Sequence, residues 1–281
     1  MPNTRLSAAE RLRRKYVYED GDLVAVEPKK RSDDDADIEE RSLASRLRLR
    51  DVFRPLYQHA ADLVVKKQVA AIREQTGRLN ERADTDFLAW LQAYQRETLA
   101  PYIADVMTPI VSAYSASVER DVLDELKIPK LSELQEPFVE AYVRDLVGLY
   151  IGRSHGQIQK VLRDAVADQK DLATVLDERL TQWLNSRASR VAEVEAVRNG
   201  EAAAHDTYKR GGVTRLKWVA RGKNCEYCSR LNGKVVGIDQ TFLNAGEDFQ
   251  PEGSAVPLKP KYPVRHAPAH RACNCAVKPA T

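Results

Sequence analysis

Two short segments hold all four cysteines of this chain: Cys225-Glu226-Tyr227-Cys228 and His270-Arg271-Ala272-Cys273-Asn274-Cys275. A Cys-x2-Cys pair places two thiolates on one tight turn, where they can hold one metal ion. The second segment offers further sulfur and nitrogen ligands, and zinc prefers four such ligands in a tetrahedron. The spacing therefore predicts a zinc site that joins the turn at Cys225 to the C-terminal segment.

Five residues are candidates for four coordination positions: Cys225, Cys228, His270, Cys273 and Cys275. A catalytic zinc keeps one position for water, whereas a structural zinc is closed by protein ligands. Several thiolates also reduce the Lewis acidity of the metal, so the set favours structural Zn2+. Either His270 or one of the late cysteines can lie outside the first coordination shell, and His266 is a further outside candidate. Because binding energy at such a site is folding energy, metal loss should melt the module.

The composition is typical of a soluble protein with a buried core. The 281 residues are 43% apolar and 30% charged, and the mean hydropathy is -0.49. The sequence contains no apolar run long enough to cross a membrane, and its charged N-terminal stretch does not resemble a secretory signal peptide. In a reducing compartment, clustered thiols bind metal more often than they form disulfides.

The net charge of +3 results from 44 basic and 41 acidic residues. This near balance disfavours a nucleic-acid footprint over the whole protein. Basic residues nevertheless outnumber acidic ones from Arg210 onward. This excess is either a solvated basic surface or a contact surface for phosphates or an acidic partner.

Residues 1–40 carry opposite charge blocks and predict a flexible charged arm, which either docks on a partner or is a frayed terminus. Within it, the apolar run Leu23–Val26 predicts a short strand. Residues 41–185 have helical periodicity almost throughout and predict an elongated helical body. The fold class is therefore mainly α, followed by a small α+β C-terminal module over residues 186–281 that the zinc site staples.

Several positions predict helix boundaries. Asp84 or Thr85 is a suitable N-cap, and residues 132–135 have the spacing of a capping box. Helices are expected to break, bend or stop at Pro55, Gly77, Pro101, Pro109, residues 152–156 and Gly211-Gly212.

The helical pattern of the sequence ends at Gly212, and a different pattern follows. Residues 213–219 alternate like a strand, and Asn232-Gly233 is a strong hairpin-turn signal. Residues 244–268 are rich in glycine and proline and predict a long loop, which a metal at its ends would hold in place.

The sequence lacks the motifs of common enzyme classes. A zinc deaminase requires His-x-Glu, but His205 is followed by Asp206. Metalloprotease, hydrolase, phosphate-loop and dinucleotide-binding motifs are also absent. His59, His155 and His205 are isolated histidines in helical stretches. Catalytic residues are therefore not predicted, and the chain is interpreted as a non-enzyme.

The C-terminal part resembles phage head-morphogenesis (minor head) proteins related to the Mu F protein and the SPP1 minor head protein. The resemblance covers residues 186–278. It rests on the order of four features: a helix, Trp218, the Cys-x2-Cys turn with Leu231-Asn-Gly-Lys234, and the C-terminal segment His270–Cys275. Val194, Arg271 and Asn274 depart from the usual Thr, Pro and Arg of the family. The first departure weakens any role for Glu195 and Arg198, which the resemblance implies only as a structural ion pair or cap.

The resemblance implies a virion protein of the capsid interior near the portal, present in the host cytoplasm during assembly. Its implied partners are the portal protein, capsid or scaffolding proteins and the packaged DNA, with no membrane contact. It would act in head assembly and in DNA packaging or ejection. The alternative is a nucleic-acid-binding zinc module that uses basic residues of the C-terminal part: Arg215, Lys217, Arg221, Lys223, Arg230 and Lys234. A toxin or enzyme domain is disfavoured.

Overall fold

The computed structural model describes residues 16–19, 22–25, 33–76, 84–131, 135–221 and 225–280. Long helices make up most of this part of the chain, and a small antiparallel sheet lies near the C-terminus. The predicted mainly α fold with a small α+β C-terminal module is therefore confirmed. Most of residues 1–32, and with them the prediction of a flexible arm, lie outside the described residues, as does most of the predicted capping box.

The helices are α1 (Asp33–Thr76), α2 (Asp84–Tyr94), a π-helical turn (Gln95–Leu99), α3 (Ala100–Leu126), α4 (Glu136–Ala167), α5 (Leu172–Arg210) and α6 (Glu226–Leu231). The strands are β1 (Tyr16–Glu19), β2 (Asp22–Ala25), β3 (Arg215–Val219), β4 (Val235–Gly237) and β5 (Ala276–Pro279). Strands β1 and β2 form an antiparallel pair, and the other three form a sheet in the order β4-β3-β5. The strand predicted at Leu23–Val26 corresponds to β2.

The prolines do not divide the helices as predicted. Helix α1 continues through Pro55, and α3 begins at Ala100 and continues through Pro101 and Pro109. A proline ring clashes with the carbonyl four residues earlier, which for Pro101 is the carbonyl of Glu97. The wider π-helical turn contains Glu97, so we attribute the tolerance of Pro101 to this local change in winding.

Two glycine predictions are corrected and one is confirmed. Helix α4 runs without interruption through residues 152–156, because exposed glycine only weakens a helix that packing elsewhere stabilises. Asn232-Gly233 does form a turn, with Gly233 at φ +80°, but it joins α6 to β4 instead of joining two strands. Helix α5 ends as predicted, with Gly212 at φ +82° and the Val213 N–H donating to the Tyr208 carbonyl at 2.9 Å.

The chain divides into two compact units. The terminal unit comprises Met1–Asp51, Tyr114–Gln135 and Val197–Thr281, and the middle unit comprises Val52–Ala113 and Glu136–Ala196. Residues 41–51 and 114–135 thus belong to the same unit as residues 197–281, whereas residues 186–196 belong to the middle unit. Compact units are not the same as independently folding domains, so the predicted boundaries at residues 41 and 186 stay predictions.

The middle unit has an apolar core formed by helices. Its residues on α1 recur at helical spacing. The buried cluster consists of Val65, Val69, Ile72, Phe87, Leu91, Ile158, Leu162, Leu176, Leu180 and Trp183.

The terminal unit is built around the three-stranded sheet and the end of α5. In β3, Leu216 and Trp218 are buried, whereas Arg215 and Lys217 alternate with them on the outer face. Helix α5 contributes buried alanines at 202–204 and the fully buried Tyr208. Gly200 allows a close approach, since a Cβ there would lie 2.5 Å from the Tyr114 hydroxyl oxygen.

Candidate metal centre

The turn at Cys225 is the N-terminal end of the short helix α6. Cys225 is the N-cap residue with extended backbone, and its carbonyl accepts the Ser229 N–H at 2.9 Å. Cys228 lies in the first part of the helix and is buried, as is Leu231. The helix therefore directs the Cys228 thiol into the module while Cys225 stays partly exposed.

The second segment combines a tight turn with the start of a strand. The Cys273 N–H donates to the His270 carbonyl at 3.2 Å, and Ala272 between them has φ +61°. Cys275 immediately precedes β5, whose Ala276 pairs with Val219 of β3. The sheet thus fixes the backbone beside Cys275, and both Cys273 and Cys275 are buried.

The structure brings all five predicted ligands together in two triads. One consists of Cys225, Cys228 and His270, and the other of Cys228, Cys273 and Cys275. Within each triad the ligand atoms lie within 4.8 Å of one another. Cys228 belongs to both triads, so its sulfur is the centre of a compact cluster that can hold a metal ion.

The distances fit a metal site. The Cys228 Sγ lies 3.7 Å from the Cys273 Sγ. Two sulfurs bound to one tetrahedral zinc at about 2.3 Å stand about 3.8 Å apart. The His270 Nε2 lies 3.1 Å from the Cys225 Sγ and 3.0 Å from the Cys228 Sγ. The sulfurs and the ring nitrogen therefore converge closely enough to become ligands with small movements.

The His270 ring is held in the tautomer that a metal requires. Its Nδ1 lies 2.6 Å from the Arg271 carbonyl oxygen, which can only accept a hydrogen bond. A proton on Nδ1 is donated to this carbonyl, which leaves Nε2, the nitrogen beside Cys225 and Cys228, as the one that can bind a metal.

The buried sulfurs share their protons unequally. A hydrogen bond from Cys228, followed by one from Cys275, lowers the pKa of Cys273. The bond to Cys273 conversely raises the pKa of Cys228. A bound cation would stabilise the thiolate forms of these sulfurs.

A buried ion cluster, which the sequence did not reveal, supports β5 and the segment between the late cysteines. The Glu201 carboxylate lies 3.6 Å from both Arg46 and Arg50 and accepts the Val277 N–H at 2.8 Å. Arg46 also donates to the Val277 carbonyl at 3.0 Å, and Arg50 donates to the Asn274 carbonyl at 3.4 Å. Basic residues on a helix normally indicate a solvated face, so no signal marked these arginines as buried.

Two other residues that the sequence analysis considers, His266 and Glu195, lie outside the two triads. His266 belongs to neither triad; its Nδ1 is 2.7 Å from the Ala267 carbonyl oxygen, and its ring centroid is 5.9 Å from that of His205. In the middle unit, the Glu195 carboxylate accepts a hydrogen bond from the Tyr142 hydroxyl at 2.7 Å. The implied role of Glu195 and Arg198 as an ion pair or cap stays a prediction.

Comparisons with protein-family models, curated proteins and solved structures find no match for the chain. Among the described helices, none combines the length and the apolar character that crossing a bilayer would require. The class that fold and site define is therefore a mainly α protein with a compact Cys/His cluster.

Proposed function

We propose that the cluster binds one structural zinc ion and that the chain is a metal-stabilised, non-enzymatic structural protein. The observation that carries the proposal is the convergence of the turn at Cys225–Cys228 with the segment His270–Cys275. When bound, the ion would supply positive charge that stabilises several thiolates and a crosslink between the two segments.

The donor set favours zinc over other metals and a structural role over a catalytic one. Cys228, Cys273 and Cys275 are buried, and sulfur with one imidazole nitrogen is a set that zinc prefers. Five candidates leave no need for water as a fourth ligand. Magnesium and calcium, which require oxygen ligands, do not fit.

Elemental analysis tests the metal assignment. We expect one zinc per chain in reduced, freshly purified protein, and strong loss of zinc in Cys228→Ser and Cys273→Ser. His266→Gln is the matched control, because it removes an imidazole outside both triads and should retain zinc. Metal-free wild-type protein, or a loss in His266→Gln equal to that in Cys273→Ser, would contradict the proposal.

We further propose that the protein acts in phage head assembly, as the resemblance over residues 186–278 implies. The support is that the residues that match the Cys and His motifs of that family are the ones that converge in this structure. They are Cys225, Cys228, His270, Cys273 and Cys275. In this role the crosslinked module provides a fixed surface for the portal protein, with capsid or scaffolding proteins and packaged DNA as further partners.

Mass spectrometry of purified heads tests this role. Heads isolated after induction of the phage or prophage that carries the gene should contain peptides of this chain together with portal protein. The major capsid protein serves as the quantitative reference, because a minor head protein is present in far fewer copies. Portal-containing heads that lack the chain would exclude the role.

A second candidate function is nucleic-acid binding by the outer face of the sheet. Arg215 and Lys217 lie on this face, and the register places Lys217 directly opposite Lys278. Three basic residues therefore lie close together on β3 and β5, and basic side chains grouped in this way can contact phosphates.

The salt dependence of DNA binding distinguishes this candidate. The logarithm of the DNA-binding constant should fall linearly with the logarithm of the salt concentration. The double variant Arg215→Ala/Lys217→Ala should reduce the steepness of this slope by about 2. Lys66→Ala is the control, because that exposed lysine lies in the middle unit. Absence of binding at low salt would remove this candidate.

A further inference from the structure

The indole N–H of Trp218 is buried beside the cysteine cluster. Trp218 is fully buried, and no acceptor among the described residues meets hydrogen-bond geometry for its Nε1. Phe242 covers the ring in an edge-on contact with centroids 5.0 Å apart. Buried indole N–H groups normally have a partner, so this donor requires an explanation.

The strand register places Cys275 next to this donor. Trp218 pairs with Val277 and Val219 pairs with Ala276, and Cys275 immediately precedes Ala276. Positions 275 and 277 lie on the same face of the chain, so the Cys275 side chain is the diagonal neighbour of Trp218. Cys275 is itself buried, so its sulfur is an acceptor shielded from water.

We propose that Trp218 is a positioning residue for the metal centre, donating its indole N–H to the metal-bound thiolate of Cys275. This inference rests on the proposed function, because the acceptor is the Cys275 sulfur in its role as a ligand of the proposed zinc ion. A metal-bound sulfur carries more negative charge than a thiol, so it is the stronger acceptor for the buried indole N–H. Hydrogen bonds of this kind orient ligands and tune the metal.

The chain contains a matched control. Trp183 in the middle unit is also buried, and its Nε1 donates to the Gln157 amide oxygen at 3.0 Å. Trp183→Phe and Trp218→Phe each remove one indole N–H and replace a buried bicyclic ring with a smaller one. Only Trp218→Phe removes a donor beside the cysteine cluster.

The first measurement is zinc affinity by competition with a chromophoric chelator. We expect Trp218→Phe to weaken zinc binding about ten-fold or more, and Trp183→Phe to leave it unchanged. Equal affinities for Trp218→Phe and wild type would overturn the inference.

The second measurement uses the unsubstituted protein, so it remains decisive if Trp218→Phe does not fold. The full chain is labelled with 15N-tryptophan and loaded with 113Cd, and magnetisation transfer from indole protons to the cadmium is recorded. We expect transfer from one indole proton, because an N–H···S–Cd bond transmits scalar coupling that mere packing does not.

The outcomes separate the two proposals. Bound 113Cd with no coupling to an indole proton overturns the role of Trp218 and leaves the metal site intact. Wild-type protein that binds neither zinc nor cadmium overturns the proposed function itself, and this inference with it.

Discussion

At the scale of single residues, Glu201 connects the start of α1 to β5 within the terminal unit. The residue is 1% exposed, and its carboxylate lies beside two arginines and accepts one backbone N–H. Burial alone would lower the pKa of Arg46, but Tyr208, Glu201 and Glu125 together raise it above its ordinary value. Arg46 therefore stays charged, and these partners offset the free-energy cost of burying its guanidinium group.

Glu201→Gln should destabilise the protein by about 3 kcal/mol, because it leaves two buried guanidinium groups without their shared carboxylate. The measurement is the free energy of unfolding in urea with zinc present. The control is Asp177→Asn, which breaks the exposed Arg73–Asp177 pair at 2.7 Å and should cost less than about 1 kcal/mol. Equal losses of unfolding free energy for the two substitutions would show that the Glu201 carboxylate does not stabilise the buried arginines.

His266 should make the protein less stable in mild acid. Burial lowers the pKa of His266 to about 4, against about 6.5 in the unfolded chain. Between these values the unfolded state binds more protons, so this contribution to stability is complete above pH 6.5 and declines as the pH falls toward 4. The pKa of His205 is also lowered by burial and adds to the slope.

The test compares unfolding free energies of wild type and His266→Gln from pH 7 to pH 4 in saturating zinc. Wild type should lose more stability than the variant across this interval, because glutamine does not titrate. Parallel profiles would contradict a lowered pKa of His266 in the folded protein.

At the scale of elements, the long helices tolerate residues that usually interrupt helices. Pro55 and Pro109 lie inside α1 and α3, and α4 contains three glycines with open space around them. Gly200 differs, because the Tyr114 hydroxyl occupies the position of the missing side chain. Its role is close packing between α3 and α5 within the terminal unit.

Two glycine substitutions should therefore have opposite effects. Gly156→Ala should stabilise the protein by about 1 kcal/mol, because alanine is the better helix former and meets no neighbour. Gly200→Ala should destabilise it by about 2 kcal/mol, because the Cβ overlaps Tyr114. Thermal and urea unfolding measure both, and stabilisation by Gly200→Ala would contradict the close approach.

At the scale of the whole molecule, the cysteine cluster lies in the terminal unit, and the apolar core of the middle unit does not include it. The middle unit has a cluster of ten buried apolar side chains on its helices. The terminal unit includes loop 244–268, in which the bridge between Phe249 and Leu258 is isolated. Irregular segments of this length depend on crosslinks for order, and the cysteine cluster is the crosslink available.

Chelation should therefore affect the two units unequally. After zinc removal under reducing conditions, hydrogen exchange should accelerate most in peptides covering residues 225–280. Peptides covering the α1 and α4 parts of the middle-unit core should retain most of their protection, since their burial does not involve the cluster. Uniform loss of protection, or none, would contradict a metal-dependent C-terminal module.

Local patterns were sufficient to predict the helical class, the sheet-forming segment after Gly212 and all five ligand candidates. Helical periodicity and Cys-x2-Cys spacing express geometry that repeats over a few residues, so a single sequence carries them. The predicted proline breaks were wrong at α1 and α3, because residue propensity is a weak guide where the surrounding backbone accommodates the ring, as the π-helical turn does for Pro101.

Only the tertiary structure decided how distant residues meet. Arg46 and Val277 are 231 positions apart in the chain, and neither the ion cluster at Glu201 nor the indole donor of Trp218 has a local signature. The sharing of Cys228 between two triads likewise depends on the register of β3 with β5. The sequence thus identifies the candidate ligands. How these ligands are arranged in space depends on long-range packing and strand pairing, which no short segment encodes.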